Sequence, residues 1–175
     1  PKTGEELSGA DRPPIGVTIP DGPVTRGFDT YHGFHHARHM DRFIENDKVI
    51  EILDAVHCLP RLTEKSVAYI EKCAKTPGQP FFLYVALGSP HSPIKPTKEW
   101  QGKSGLGRYG DFVMQTDATV GAIAEALEKN GFAGNTLLIF TSDNGCSKNA
   151  GIADMLEKGH SVSGRYRGLK ADIWD

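Results

Sequence analysis

The sequence has little cysteine, little net charge and no long apolar stretch. Cys58, Cys73 and Cys146 are odd in number, and none stands in a Cys-x-x-Cys or Cys-His pairing. Neither a disulfide framework nor a structural zinc site is expected, and each is read as a reduced thiol. Twenty Lys and Arg against 22 Asp and Glu leave a formal charge of -2, which supplies no global field for nucleic acid or an anionic membrane. Any anion site therefore has to be local. No run of about 18 apolar residues occurs, so no segment is expected to span a bilayer. Pro1 is followed by no basic and apolar leader; no signal peptide is visible, and the chain is expected to be a fragment. Internal repeats and low-complexity tracts are missing too.

What is present suffices for one ordinary domain: 175 residues, 38% of them hydrophobic. Residues 1–25 hold Pro13, Pro14, Pro20 and Pro23, which deprive a helix of donors, so this part reads as an irregular leading segment. From Arg26 to Asp41, aromatic, glycine and histidine residues crowd together with no period of 2 or 3.6, the mark of a structured loop. His32, His35, His36 and His39 in this stretch lack zinc-like pairing and are read as substrate-rim or surface residues.

Thr63 to Lys75 carries Val67, Ile70 and Ala74 at helical spacing behind a threonine cap and stops at Pro77-Gly78. Residues 81–87 form a short apolar run ended by Gly88-Ser89-Pro90, the pattern of a strand covered on both faces. The clearest helix runs from Asp111 to Asn130. It has an aspartate cap, a face of Val113, Val120, Ile123, Ala124 and Leu127, and a stop at Gly131. Thr136 to Thr141 then reads as a second buried strand. Strand, helix and strand in that order predict a right-handed βαβ crossover, so the fold class is α/β with a mostly parallel sheet and flanking helices.

Ligands of such sheets bind beyond the carboxyl ends of the strands. The first strand delivers His91 between Pro90 and Pro93; the second delivers Asp143 and Asn144. Histidine changes charge near neutral pH and can donate a proton to a leaving group. A carboxylate beside a carboxamide offers two hard oxygen donors, suited to Ca²⁺ or Mg²⁺ rather than zinc. Arg165, Arg167 and Lys170 concentrate positive charge in a nearly neutral chain, with Gly164 and Gly168 allowing close approach. Together these are the parts that hydrolysis of an anionic ester requires, apart from a nucleophile.

The ordered series Pro80–Ala86, Pro90-His91-Ser92-Pro93, Tyr109-Gly110-Asp111 with Asp117 and Val120-Gly121, then Thr141-Ser142-Asp143-Asn144-Gly145, resembles the type I sulfatases. These are arylsulfatase-like members of the alkaline phosphatase superfamily. Arg26-Gly27-Phe28-Asp29 and Tyr31-His32-Gly33 resemble the same family's middle segment. The resemblance implies an alkaline-phosphatase-like α/β fold, of which residues 26–175 would be part of a single catalytic domain incomplete at both ends. It implies a sulfuric ester hydrolase with one Ca²⁺, or sometimes Mg²⁺. It also implies a formylglycine nucleophile made from a Cys-x-Pro-x-Arg motif expected upstream of this chain. No cysteine here fits that motif; Cys58 is followed by Leu-Pro-Arg-Leu and is not assigned as the nucleophile.

On the same resemblance, His91 contacts the sulfate ester and protonates the leaving group, and Lys170 neutralises the sulfate. Asp143 and Asn144 are metal ligands. Ala37 departs from the family, which often places a serine there. The implied substrate is a sulfated small molecule or sulfated polysaccharide, and the implied location is periplasmic or secreted. Two alternatives remain open: a phosphodiesterase or phosphonate hydrolase of the same superfamily, and a non-catalytic anion- or metal-binding domain.

Overall fold

A computed structural model describes residues 12–34 and 40–173. His35, His36, Ala37 and His39 fall outside the described residues. The chain divides into two compact units, residues 1–69 with 80–88, and residues 70–79 with 89–175.

The first unit contains a three-stranded antiparallel sheet, β1 (His32–Phe34), β2 (Arg42–Glu45) and β3 (Lys48–Ile52), in the order β1-β2-β3. Part of the expected loop over 26–41 is therefore a strand. At three residues β1 is too short to show a period of 2, and in the neighbouring β2 a register shift between Phe43 and Ile44 buries two consecutive side chains. The β2–β3 hairpin turns through Asn46, which adopts φ +58°, a left-handed conformation that asparagine tolerates better than most residues. Residues of the leading segment run along the hairpin: Gly16 N–H donates to Val49 O at 2.8 Å and Ile19 N–H to Asp47 O at 2.6 Å.

Helix α1 (Cys58–Cys73) begins five residues before the expected threonine cap. The Asp54 carboxylate accepts from Val56 N–H and starts a 3-10 turn, Ala55–His57, that leads directly into the helix. Pro60 is accommodated because the first-turn N–H groups of a helix have no intrahelical acceptor. Thr63 instead bonds back to Leu59 O at 2.9 Å. Arg61 pairs with Glu51 at 2.5 Å and Lys65 with Glu45 at 3.2 Å, tying the start of α1 to the sheet. None of the three cysteines is in a disulfide.

The second unit is organised by α2 (Gly107–Lys129). Its C-terminus ends as expected: Phe132 N–H reaches Leu127 O, Gly131 N–H reaches Glu128 O, and Gly131 takes φ +76°. Its start differs, because Asp111 is not a cap. The Asp111 carboxylate is buried and accepts from Gly102 N–H at 2.8 Å, Ser104 N–H at 2.9 Å and Ser104 Oγ at 2.7 Å. The buried face also differs. It runs through Phe112, Gln115, Thr116, Thr119, Ile123, Ala126 and Leu127, whereas Val113 is exposed. A short helix α3 (Ile152–Glu157) buries Met155.

The two apolar runs expected as strands, 81–87 and 136–141, are not assigned as strands, and the sheet formed by the described residues is antiparallel. A strand is defined by a ladder partner, and neither run has one among the described residues. Residues 81–87 nonetheless alternate between half-buried and exposed, as on a pleat. Leu137, Ile139 and Phe140 are 85%, 73% and 71% exposed.

Burial raises the Asp111 carboxyl, but hydrogen bonds from Ser104 and Gly102 outweigh it and hold the group below the usual carboxylate range. A depressed carboxyl stabilises the fold fully above its unfolded value of about 3.9, and that contribution disappears as pH falls through the folded value. Asp111→Ala leaves two backbone donors without their acceptor and should cost about 2–3 kcal/mol at pH 7. Urea unfolding of wild type and variant at pH 7 and pH 3 measures this, and the gap should narrow at pH 3.

Candidate functional site

The residues singled out in the sequence, His91, Asp143, Asn144 and Lys170, all lie in the second unit. His91 stands in a loop whose flanking segments are fastened to α2. Thr116 Oγ1 on α2 bonds Ser89 Oγ at 2.8 Å, and Gln115 Oε1 accepts from Thr97 N–H at 2.9 Å. Both are polar residues on the buried face of a helix, and that pattern is the signal by which the sequence could have revealed them. Both Ser-Pro bonds flanking His91, Ser89-Pro90 and Ser92-Pro93, are cis. His91 itself is exposed, with Nδ1 2.7 Å from Ser92 O. An acceptor at that distance demands Nδ1–H, which directs the chemistry of the ring to Nε2.

Asp143 and Asn144 are exposed on a turn with local bonds only. Ser142 Oγ donates to Asn144 O at 2.9 Å, and Asn144 Nδ2 donates to Gly145 O at 2.9 Å. The second bond commits the amide nitrogen and leaves the oxygen as the donor atom for a cation. The donor set fits a hard divalent ion. No group of three His, Cys, Asp or Glu side chains that could hold a metal occurs among the described residues, so this pair could furnish only part of a coordination shell.

Lys170 is brought against this turn through the backbone. Lys170 N–H donates to Cys146 O at 2.9 Å. A Cβ built on Gly145 would lie 3.1 Å from Leu169 C and 3.3 Å from Lys170 N. Glycine at 145 is thus what lets the Leu169–Lys170 backbone pass directly beside the Asp143-Asn144 turn. Sequence reasoning missed Gly145 and Cys146 in this role. His91 is fixed by α2 and not by this junction. Arg165 stacks on Tyr166, with its guanidinium 5.4 Å from the ring centroid, in the loop preceding Lys170. In the first unit His32 lies on β1, 3.7 Å from Glu45.

Parts of this chain are similar to known proteins. A 100-residue stretch is 41% identical to an N-acetylgalactosamine-6-O-sulfatase of Bacteroides thetaiotaomicron, covering 55% of this chain and 20% of that protein. Bovine arylsulfatase A is 41% identical over 90 residues, 50% of this chain and 18% of its own. The chain thus spans one fifth or less of the length of these relatives. Among solved structures, Ps i-CgsB in complex with k-i-k-neocarrahexaose superposes with a TM-score of 0.64 at 25% identity, over 78% of this chain and 36% of that one. A chain solved under the metabolism of multiple glycosaminoglycans by Bacteroides thetaiotaomicron gives 0.61 at 26% identity, over 91% and 34%. These neighbours support the α/β class. The model of the Sulfatase family matches residues 18–168, a span that takes in both units, the His91 loop and the Asp143-Asn144 turn, and the chain belongs to that family.

Proposed function

We propose that this chain contributes the ester-binding and leaving-group side of a sulfatase active site, in a protein that hydrolyses a sulfate ester. The observation that carries the reading is the junction at Gly145, where the backbone of a lysine passes against a turn bearing two hard oxygen donors. Residues 26–175 would then be part of one catalytic domain that continues outside this sequence. The missing nucleophile supports this, since no Cys-x-Pro-x-Arg occurs here, and a formylglycine from elsewhere in the protein would take that role. Residues 81–87 and 136–141 would be strands of a parallel sheet completed by the rest of the domain. The apolar exposure of Leu137, Ile139 and Phe140 supports such a cover.

Asp143 and Asn144 would hold Ca²⁺, or Mg²⁺, together with ligands from outside the chain. When bound, the cation supplies Lewis-acid stabilisation of charge on the sulfate oxygens. Lys170 adds a compact ammonium charge to the same oxygens as negative charge spreads onto them. His91, protonated, gives its Nε2 proton to the departing alcohol oxygen as the S–O bond breaks; Nδ1–H stays on Ser92 O and holds the ring in place throughout. The substrate class that fits best is a sulfated saccharide, in keeping with the carbohydrate names of the relatives, and its site of action is periplasmic or extracellular. No helix among the described residues is long and apolar enough to cross a membrane.

In the full-length protein, His91→Ala and Lys170→Ala should each lower kcat for sulfate release by about 10²–10³. Chelation of Ca²⁺ should abolish turnover, and added Ca²⁺ should restore it. Parallel assays on sulfate and phosphate esters decide the reading: faster turnover of phosphate diesters, or binding of sulfate with no turnover of either, would overturn it.

Gly145→Ala tests the junction. The added methyl forces the backbone of Leu169 and Lys170 away by a few tenths of an ångström, and misplacement on that scale should lower kcat/KM by about tenfold. Thermal unfolding should shift far less than activity, because the turn is exposed.

A further inference from the structure

Residues 161–168 form a loop held together by its own bonds. Ser161 Oγ donates to Gly164 O at 3.0 Å, Ser163 Oγ to Gly168 O at 2.7 Å, and Tyr166 N–H to Ser163 O at 3.0 Å. Gly164 and Gly168 take φ +57° and +92°, left-handed values that let the chain turn tightly on either side of Arg165–Arg167. The bonds continue up to the lysine. Leu169 N–H donates to the Asp172 carboxylate at 2.8 Å, and Lys170 N–H to Cys146 O at 2.9 Å. The crest of the loop is therefore tied to Lys170, and the four residues from one to the other span at most about 14 Å even when fully extended.

That crest carries Arg165 and Tyr166, both exposed, the tyrosine to 72%. The Arg165 guanidinium lies 5.4 Å from the centre of the Tyr166 ring, so a cation flanks an aromatic surface that stays largely open to solvent. Its Nη2 is 3.5 Å from the Tyr166 hydroxyl, at the limit of a hydrogen bond. Arg165 pairs with no carboxylate among the described residues, and the carboxylate nearest in sequence, Asp172, is engaged by Leu169 N–H. The fork of guanidinium donors is thus left for a ligand.

We propose that Arg165 and Tyr166 form a saccharide subsite beside the ester-binding residues, one that takes a second, anionic sugar unit of the substrate. The pyranose lays its C–H face on the Tyr166 ring, and its sulfate or carboxylate accepts from Arg165. This rests on the sulfatase reading of Lys170 and deepens it, since it makes an oligosaccharide, rather than a single sugar or an aryl ester, the preferred substrate. An aromatic ring in water selects a flat apolar surface, which a pyranose offers; a planar guanidinium selects a two-oxygen anion. With a net charge of -2 the chain gives a polyanion no long-range attraction, so each anionic group needs a cation placed for it. Neither residue is needed to break the S–O bond, and both act on binding alone.

The test uses the full-length protein and three probes: para-nitrophenyl sulfate, a chondroitin sulfate hexasaccharide, whose neighbouring sugars carry carboxylates, and a κ-carrageenan hexasaccharide, whose anions are all sulfates. Turnover is measured on each, and the hexasaccharides are also tested as competitive inhibitors of aryl ester hydrolysis. Tyr166→Ala should raise KM or Ki for a hexasaccharide by about tenfold with kcat within about twofold, and should move kcat/KM for the aryl ester far less. Tyr166→Phe keeps the ring and should stay close to wild type. Arg165→Ala should weaken hexasaccharide binding by about three- to tenfold and flatten its dependence on salt. An Arg165 effect on the chondroitin probe alone identifies the second anion as a carboxylate; an effect on the carrageenan probe identifies a sulfate. Because both side chains are exposed, neither variant should unfold the protein. The inference is overturned if Tyr166→Ala affects all three probes equally or none of them, or if wild type neither cleaves nor is inhibited by either hexasaccharide. If wild type hydrolyses none of the three esters, the sulfatase reading fails and the inference with it. If Lys170→Ala abolishes turnover while Tyr166→Ala leaves hexasaccharide binding intact, the inference alone fails.

Discussion

The carboxylate of Asp111 is the constraint on which the second unit depends. A charge taken out of water is tolerated only when donors replace the water, and here they come from Gly102 and Ser104, a few residues upstream. Satisfying that one side chain bends the chain around the head of α2 and sets where the helix starts. Gln115 and Thr116 follow one turn later on the buried face. They reach the two segments that flank His91, Thr97 beyond it and Ser89 before it. The helix is less a piece of hydrophobic core than a rail from which the functional loops hang. Its apolar packing comes from Phe112 near the start and from Ile123, Ala126 and Leu127 in the later turns.

This division explains what the sequence could disclose. The end of α2 was legible because a glycine after an apolar face has a single strong meaning, the left-handed residue that closes a helix. The start was not, because aspartate is favoured as a cap and is also the residue that a buried turn needs as acceptor. Nothing in a one-dimensional pattern separates the two uses. The face was read through Val113 for the same reason: the positions that are buried, Gln115, Thr116 and Thr119, carry hydroxyls and an amide, and a search for apolar period passes over them. In the first unit the obstacle was length. Strands of three to five residues, one of them bulged so that Phe43 and Ile44 are both buried, never accumulate enough alternation to be seen.

The candidate site posed a different problem. His91, Asp143, Asn144 and Lys170 sit on exposed or half-exposed loops, where no packing periodicity operates, so they were legible from their place beyond the apolar runs, from a local cluster of positive charge, and from an ordered series resembling a family. The residues that hold them were not legible by any of these routes. Gly145 matters because of a backbone brought to it from 24 residues away. Such pairings exist only in three dimensions. The apolar runs at 81–87 and 136–141 sit between these cases. Their composition reads as buried strand, and their exposure among the described residues shows how much that reading depends on a partner.

A local electrostatic logic ties these features together. With a net charge of -2 spread over 175 residues, the chain has no long-range pull on an anion, so affinity for one has to be assembled at short range. On the proposed reading the exposed oxygens of Asp143 and Asn144 would repel an anion, and a cation held on them would turn that repulsion into attraction. On that reading the turn at Asp143-Asn144 and the approach of Lys170 are one device rather than two. Both would then act on the same few oxygens of the ester, so the geometry between them would matter to a fraction of an ångström. The glycine that admits the Leu169–Lys170 backbone, and the bond from Lys170 N–H to Cys146 O, are what set that geometry along the backbone.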